Sequence, residues 1–342
     1  MIYHTGCDAH NKRCKFQHIA DDGALGLEMS VPTDKESICK FLDLLDAPTT
    51  ITLEAGRNYW WLNQLFHTHP KITRVNVVDP RRSRKLAEEL SVISGYGRAK
   101  NDRIDAEMLA DQTRRGLSPT IHVPTPAQLE TRSLNRHRYT LIINRTRSEN
   151  SIQSLLAMHG VKTTNNDLLT KPDWKEKNMQ KVPDYVRFII EQLLDQIVFL
   201  NKQIDPCERE LDKRLPLSHP QMKILLSVPG IGIILGRTIY TEIMDISYFK
   251  EPKYLVSYSG LAPIANESGD RKGHVKLNRH CNHYLKYAFV MAAHHACGHV
   301  NYHKKYEHDV KKHGKTIAKL NLARRMTKTV YWMLTRQQLY KK

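Results

Sequence analysis

Two hydrophobic periods alternate over the first 114 residues, and that alternation limits the folds open to them. Ile2–Gly6, Arg13–Ile19, Leu25–Ser30, Thr49–Leu53 and Ile72–Val78 are short runs rich in β-branched and apolar residues, and each reads as a strand. Asp21-Asp22-Gly23 marks a turn between the second and third. Thr33 is placed to cap a helix that runs to Leu45, and Tyr59–His67, Ser83–Leu90 and Arg103–Arg114 read as helical. The order βββαβαβα predicts a mixed sheet with helices packed on it.

The pattern changes after residue 122, and we expect three domains, 1–122, 123–215 and 216–342. Thr125-Pro126-Ala127-Gln128 combines a cap, a first-turn proline and a capping-box glutamine, opening a helix that can run to Gly160. Further on, Ile190, Leu193, Ile197, Leu200, Ile204, Cys207 and Leu211 alternate spacings of three and four. Such a seam fits a coiled coil, a long helical hairpin or an ordinary bundle helix. Pro206 falls inside it, so a kink or break is expected there. In the last part, Met222–Val228, Pro229-Gly230-Ile231-Gly232 and Ile233–Met244 read as helix, tight hairpin, helix. Such a hairpin can offer backbone N–H groups to a phosphate, although Pro-Gly is also a common plain turn. Helices near His283–Cys297 and Ile317–Leu339 close the chain.

Charge narrows the function. The 342 residues carry a formal net charge of +18, with 40% hydrophobic residues, enough for buried cores and too many for global disorder. From Arg271 to Lys342 there are 17 lysines and arginines against two acids, Glu307 and Asp309. A concentrated basic segment that also holds core-like runs such as Tyr287–Ala293 is an electrostatic footprint for nucleic acid. No apolar run approaches a membrane span and the N-terminus shows no signal peptide, so a soluble, cytoplasmic protein is expected. The six scattered cysteines form no CxxC pair. Cys281, His283, His294, His295, Cys297 and His299 cluster in sequence, but their spacing fits none of the usual structural zinc patterns.

A basic protein that handles phosphates must place its carboxylates with care. Asp8 is expected to follow the first strand and Glu54 the fourth, while Asp102 and Asp105 are three apart near a helix start and can face one way. Gathered at one sheet edge, the four could hold Mg²⁺, which prefers oxygen ligands. Singly each has a plainer role: Asp8 in a turn, Glu54 paired with Arg57, the aspartates at a helix dipole with Asn101 as cap. Together, acid, acid and acid pair in this order make the pattern of ribonuclease-H-like nuclease domains, especially the RuvC-like Holliday-junction-resolvase branch.

Six stretches extend the match in order: Gly6-Cys7-Asp8, Leu53-Glu54-Ala55-Gly56, Asn101-Asp102-Arg103-Ile104-Asp105-Ala106, Val228-Pro229-Gly230-Ile231-Gly232, Ser259-Gly260-Leu261-Ala262-Pro263 and Glu267-Ser268-Gly269. As a set they resemble the DEDD insertion-sequence transposases, relatives of the pilin-gene invertases and a group that includes recombinases guided by a bridge RNA. The resemblance implies an α/β domain of RuvC-like, ribonuclease-H-like fold, a helical coiled-coil middle and a mainly helical C-terminal transposase domain. It implies that Asp8, Glu54, Asp102 and Asp105 form a Mg²⁺ site and that Ser268 is a nucleophile. Donor and target DNA would be cut and rejoined through a phosphoserine link, with an element-encoded guide RNA pairing with both.

Arg271, Lys272, Lys276 and Arg279 lie near enough to Ser268 in sequence to hold phosphates. The chain departs from the usual pattern at His10, where a lysine is common, and at Ala55-Gly56, where Thr-Gly or Ser-Gly is common. Two rival readings stand beside the serine recombinase. One is a RuvC-like metal-dependent endonuclease with Ser268 structural. The other is a basic nucleic-acid-binding protein without catalysis. A homodimer assembling to a homotetramer, nucleoid-associated when active, is the expected working form.

Overall fold

A computed structural model describes residues 3–94, 102–162, 178–264, 276–277 and 280–341. Two compact units make up the chain, Met1–Val123 and Pro124–Lys342.

The first unit runs β1 (Tyr3–Ala9), β2 (Arg13–Ala20), β3 (Leu25–Pro32), α1 (Lys35–Asp43), β4 (Thr49–Glu54), α2 (Tyr59–Thr68), β5 (Ile72–Val78), α3 (Pro80–Ser94) and α4 (Asp102–Arg114). Its sheet order is β3-β2-β1-β4-β5. The first three strands are antiparallel neighbours, and β1, β4 and β5 are parallel. Parallel neighbours require crossovers, and α1 and α2 supply them. The arrangement is consistent with the ribonuclease-H-like domain expected. One sheet face is packed with Phe16, Ile51 and Leu53 against Phe41 of α1 and Phe66 of α2. Phe16 stacks on Phe41 at 4.1 Å and meets Phe66 edge-on at 6.4 Å.

Three details differ from the sequence reading. Only His10–Lys12 separates β1 from β2, so pairing persists to Ala9↔Cys14 and Asp8 sits inside the strand rather than after it. Glu54 is likewise the last residue of β4, not the first beyond it. Asp34, not Thr33, caps α1, because its carboxylate accepts from the Ser37 N–H at 2.8 Å.

The second unit is helical. It runs α5 (Pro126–Met158), α6 (Asp184–Arg214), α7 (Pro220–Leu226), α8 (Ile233–Ile243), a 3₁₀ turn (Ile246–Tyr248), α9 (Pro252–Tyr258), the strands β6 (Pro263–Ile264) and β7 (Lys276–Leu277), then α10 (His283–Ala296), α11 (Val300–His313) and α12 (Lys315–Arg336). The capping box opens α5 as read: Thr125 Oγ1 accepts from Gln128 N–H at 3.3 Å and Gln128 Oε1 from Thr125 N–H at 3.0 Å.

The seam of α6 faces α5 of the same chain. Ile190, Ile197, Leu200, Ile204 and Leu211 are buried, and Leu194 takes the place expected of Leu193. Polar rungs cross the pair from Arg138 to Glu208, Arg145 to Asn201 and Ser148 to Gln196. The residue numbers descend on α6 as they rise on α5, so the helices are antiparallel. The helix continues through Pro206, and the break expected there does not occur. The sequence reading also misses α11, whose buried residues are only Tyr302 and Tyr306 and which therefore shows little apolar period.

A buried carboxylate ties this unit together. Glu242 of α8 is fully enclosed. It accepts both arms of the Arg136 guanidinium at 2.7 Å and the Asn282 amide at 2.7 Å. Asn282 in turn caps α10, accepting from the Leu285 N–H at 3.0 Å. Three helices thus share one charge. Removing the carboxylate leaves the buried Asn282 amide and the part-exposed Arg136 without their shared acceptor. Glu242→Ala is expected to cost about 3–5 kcal/mol, read by denaturant unfolding of the full chain.

Candidate active site

The acids of the first unit gather because strands alternate faces. β1 and β4 pair in parallel with Gly6 opposite Thr52 and Cys7 opposite Leu53. One step further along each strand come Asp8 and Glu54. With a side-chain period of two, they share a face with Gly6 and Thr52. That face is covered by α4. Ala106 and Ala110 of α4 are fully buried over β1, and a Cβ on Gly6 would overlap the Ala106 carbonyl oxygen and stand 2.8 Å from the Ala110 nitrogen. Glycine here is the condition for the helix to touch the strand.

Polar contacts fix α4 in place. Thr113 and Thr52 share a buried hydroxyl hydrogen bond of 2.6 Å. Gln112 donates to the Ser83 carbonyl and accepts from the Ser83 hydroxyl, both at 2.9 Å, joining α4 to α3. Asp105, adjacent to Ala106, is thereby brought toward Asp8 and Glu54.

The electrostatics record this convergence. Burial pushes the Glu54 carboxyl up to about 7, with the charges of Asp8 and Asp105 raising it further and Asp79 adding to them, while Arg84 pulls the other way. Asp8 accepts a hydrogen bond of 3.0 Å from His10 Nε2, so the residue that departs from the family pattern orients the first acid. The pairing of Glu54 with Arg57 is not made among the described residues.

The donor set is all oxygen, suited to a hard divalent cation. Among the described residues no three acid, histidine or cysteine side chains are already drawn to metal-holding distance. Asp102 is the first residue of α4, and its side chain is not among those described. Ser268, Arg271, Lys272 and Arg279 lie outside the described residues, and Lys276 is placed only as part of β7.

The glycine hairpin finds a plainer use. Gly230, at φ +87°, abuts α10, where a Cβ would overlap the Ala292 carbonyl oxygen and lie 2.8 Å from Ala296 Cβ. It borders a cavity of about 900 Å³ whose arginines, Arg138 and Arg237, are already paired with Glu208 and Asp212.

The sequence reading names no phosphate-holding cations in the first unit. Arg81, Arg82 and Arg84, exposed on the first turns of α3, lie at the same sheet edge as the acids. The signal available is their adjacency to Asp79 directly after β5, which the whole-chain charge count conceals.

Residues 5–160 match a family model described as Transposase, of the DEDD type found in IS110 elements, and residues 222–308 match the Transposase IS116/IS110/IS902 family. Together these regions account for most of the chain, which belongs to the IS110/IS116/IS902 family of DEDD transposases. Among its relatives is a putative transposase, y4rJ, of Sinorhizobium fredii, 26% identical over 65% of this chain and 59% of the relative. An uncharacterized 44.8 kDa protein of insertion element IS116 from Streptomyces clavuligerus is 25% identical over 71% of this chain and 73% of its own length. The transposase of element IS1111A from Coxiella burnetii is 23% identical over 71% and 68%. The chain thus spans about three fifths of the first of these and more of the others. Among the described residues no helix is long and apolar enough to cross a membrane.

Two outcomes test the site's construction. Gly6→Ala must push α4 off β1, costing about 1–3 kcal/mol by overpacking, and calorimetry of the full chain reads it. Glu54 gives a pH signature. Its carboxyl keeps its proton in the fold up to about 7, against an ordinary value of 4.5. That contribution is present below pH 4.5 and is lost as pH rises through 7. In chelator, Glu54→Gln should therefore melt higher than the parent at pH 8 and lose the advantage at pH 4.

Proposed function

We propose that this chain is a DNA transposase whose acidic edge cuts DNA strands with the help of a divalent metal. The convergence of Asp8 and Glu54 on the sheet with Asp105 of the covering helix α4, in a chain of this family, carries the reading. Asp8, Glu54 and Asp105, with Asp102, would hold Mg²⁺. When bound, Mg²⁺ supplies charge neutralisation at the phosphate and acidifies the attacking oxygen. The protein's own part is to hold the carboxylates of Asp8, Glu54 and Asp105 on two strand ends and one helix, where a bound cation would relieve their mutual repulsion. His10 fixes the direction of Asp8. Glu54 itself is half-buried at that edge.

A second reading adds Ser268. The family match over 222–308 includes the Glu267-Ser268-Gly269 motif. In that reading the serine attacks phosphorus and displaces a 3′ hydroxyl, and the phosphoserine bond preserves the energy for religation. The guide RNA, a dimer paired through the middle helices and a tetrameric synapse belong with it. A soluble, cytoplasmic enzyme suits both readings.

One experiment separates the two readings. Full-length protein, Mg²⁺ and DNA carrying an element end are incubated, and both cleavage and detergent-resistant protein–DNA adducts are followed. Under the metal reading Glu54→Gln loses cleavage at least about 100-fold, roughly 2.7 kcal/mol of barrier, while Ser268→Ala still cuts. Cleavage by Glu54→Gln at the parental rate overturns it. Loss of adduct and strand joining in Ser268→Ala, with a guide-like RNA copurifying from cells that express the element, establishes the second.

A further inference from the structure

We propose that Arg57, Arg81, Arg82 and Arg84 form a phosphate-binding rim that grips the DNA strand entering the acidic edge. The proposal rests on the reading of that edge as a DNA-cutting site and assigns it a cation set of its own.

Topology puts these residues at the right end of the sheet. β4 and β5 run parallel to β1, so all three strands end on one side. Ligand sites in sheets of this kind gather outside the strands' carboxyl ends. Asp8 and Glu54 mark that edge on β1 and β4. Arg57 lies in the turn after Glu54, and α3 begins immediately after Asp79, which follows β5.

Local structure aims the guanidinium groups outward. Ser83 is fully buried and locked to Gln112 in both directions. At 100° per residue, this turns Arg81 to the opposite side of α3 and places Arg82 and Arg84 on its two flanks. The Asp79 carboxylate accepts the N–H groups of Arg81 and Arg82 at 3.0 Å each. The helix start is already satisfied, so it is the side chains that remain to bind.

Their freedom is what needs explaining. Arg57, Arg81, Arg82 and Arg84 are exposed and make no hydrogen bond or ion pair through their side chains among the described residues. Elsewhere in the unit Arg13 is bonded to Ser30 and Arg114 and Arg115 are both paired with Asp111, while Arg74, near the start of β5 and so away from this edge, is likewise exposed without a side-chain partner among the described residues. Lys85 is tied to Glu89 and is left out of the rim. General basicity does not account for the cluster, because residues 1–123 hold 17 lysines and arginines against 16 acids.

Electrostatics supplies the reason. A phosphate approaching several carboxylates is repelled until cations offset them. The planar guanidinium fork matches phosphate oxygens two at a time, which a lysine cannot do. Arg57 beyond β4 and three arginines beyond β5 would hold phosphates flanking the scissile one, leaving the acids to the metal.

The test uses the full chain in three forms: Arg81→Ala/Arg82→Ala/Arg84→Ala, the same three sites changed to lysine, and Arg74→Ala as an exposed control on β5. Anisotropy of a labelled DNA duplex is followed across a salt series, beside cleavage in Mg²⁺. The alanine triple is expected to weaken binding at least about tenfold and to lower the slope of log affinity against log salt by about 2–3, near 0.9 for each phosphate no longer neutralised. KM should rise more than kcat falls. The lysine triple should keep the salt slope and its melting temperature, and lose affinity a few-fold. Arg74→Ala should change neither. Parental affinity and slope in the alanine triple overturn the rim, and so does a defect confined to an RNA oligonucleotide. If Glu54→Gln cleaves normally while the alanine triple binds poorly, the metal reading fails and the arginine contact survives. If Glu54→Gln is dead and the alanine triple is parental, the reverse holds.

Discussion

Helix α4 lies against β1 with no side chain between them at Gly6. Everything proposed for the first unit depends on that contact. The acids come from three separate stretches of chain, and only two of those stretches are strands of one sheet. Asp105 reaches them because Ala106 and Ala110 bring the helix down to backbone distance. Shape alone would leave the helix free to slide. The Thr52–Thr113 hydroxyl bond and the paired Ser83–Gln112 bonds remove that freedom, since a buried hydrogen-bonding group that loses its partner costs about 1–3 kcal/mol.

This geometry leaves a charge imbalance that the surrounding residues answer unevenly. Burial, with the charges of Asp8 and Asp105 added, holds the Glu54 carboxyl well above the ordinary carboxylate range. Arg57, Arg81, Arg82 and Arg84 make no side-chain hydrogen bond or ion pair among the described residues. A domain selected only for stability would bring these opposite charges together. In the reading proposed above, both sets stay available for something that carries its own charge of each sign, as a metal-bearing phosphate does.

Much of this is legible in the sequence, for identifiable reasons. The five strands stand out because β-branched runs and turn residues bracket them closely, and Ile72–Val78 and the Thr125 capping box read to the residue. Asp8 reads as lying beyond its strand because sequence gives no measure of how far a tight hairpin keeps its ladder paired. Gly6 belongs to a visible motif, but its purpose lies in a helix a hundred residues later, and no local signal joins the two. The seam of α6 is visible, yet the choice of partner depends on α5 in space. Pro206 is expected to kink or break α6 because the rule for prolines counts one missing hydrogen bond and ignores what tertiary packing returns. The arginines of α3 are hidden by a net charge dominated by the C-terminal segment.

The rungs between α5 and α6 have a mechanical consequence. Arg138, Arg145 and Ser148 each meet one specific partner, and the partners are spaced so that all three engage in only one register. Sliding one helix by a single turn, about 5.4 Å, would part all of them at once and leave polar groups facing apolar rows. The pair therefore behaves as a strut rather than a telescoping joint. With 33 residues in α5, it is about 50 Å long at 1.5 Å per residue. A push at one end would arrive at the other as displacement, with little of it absorbed along the way.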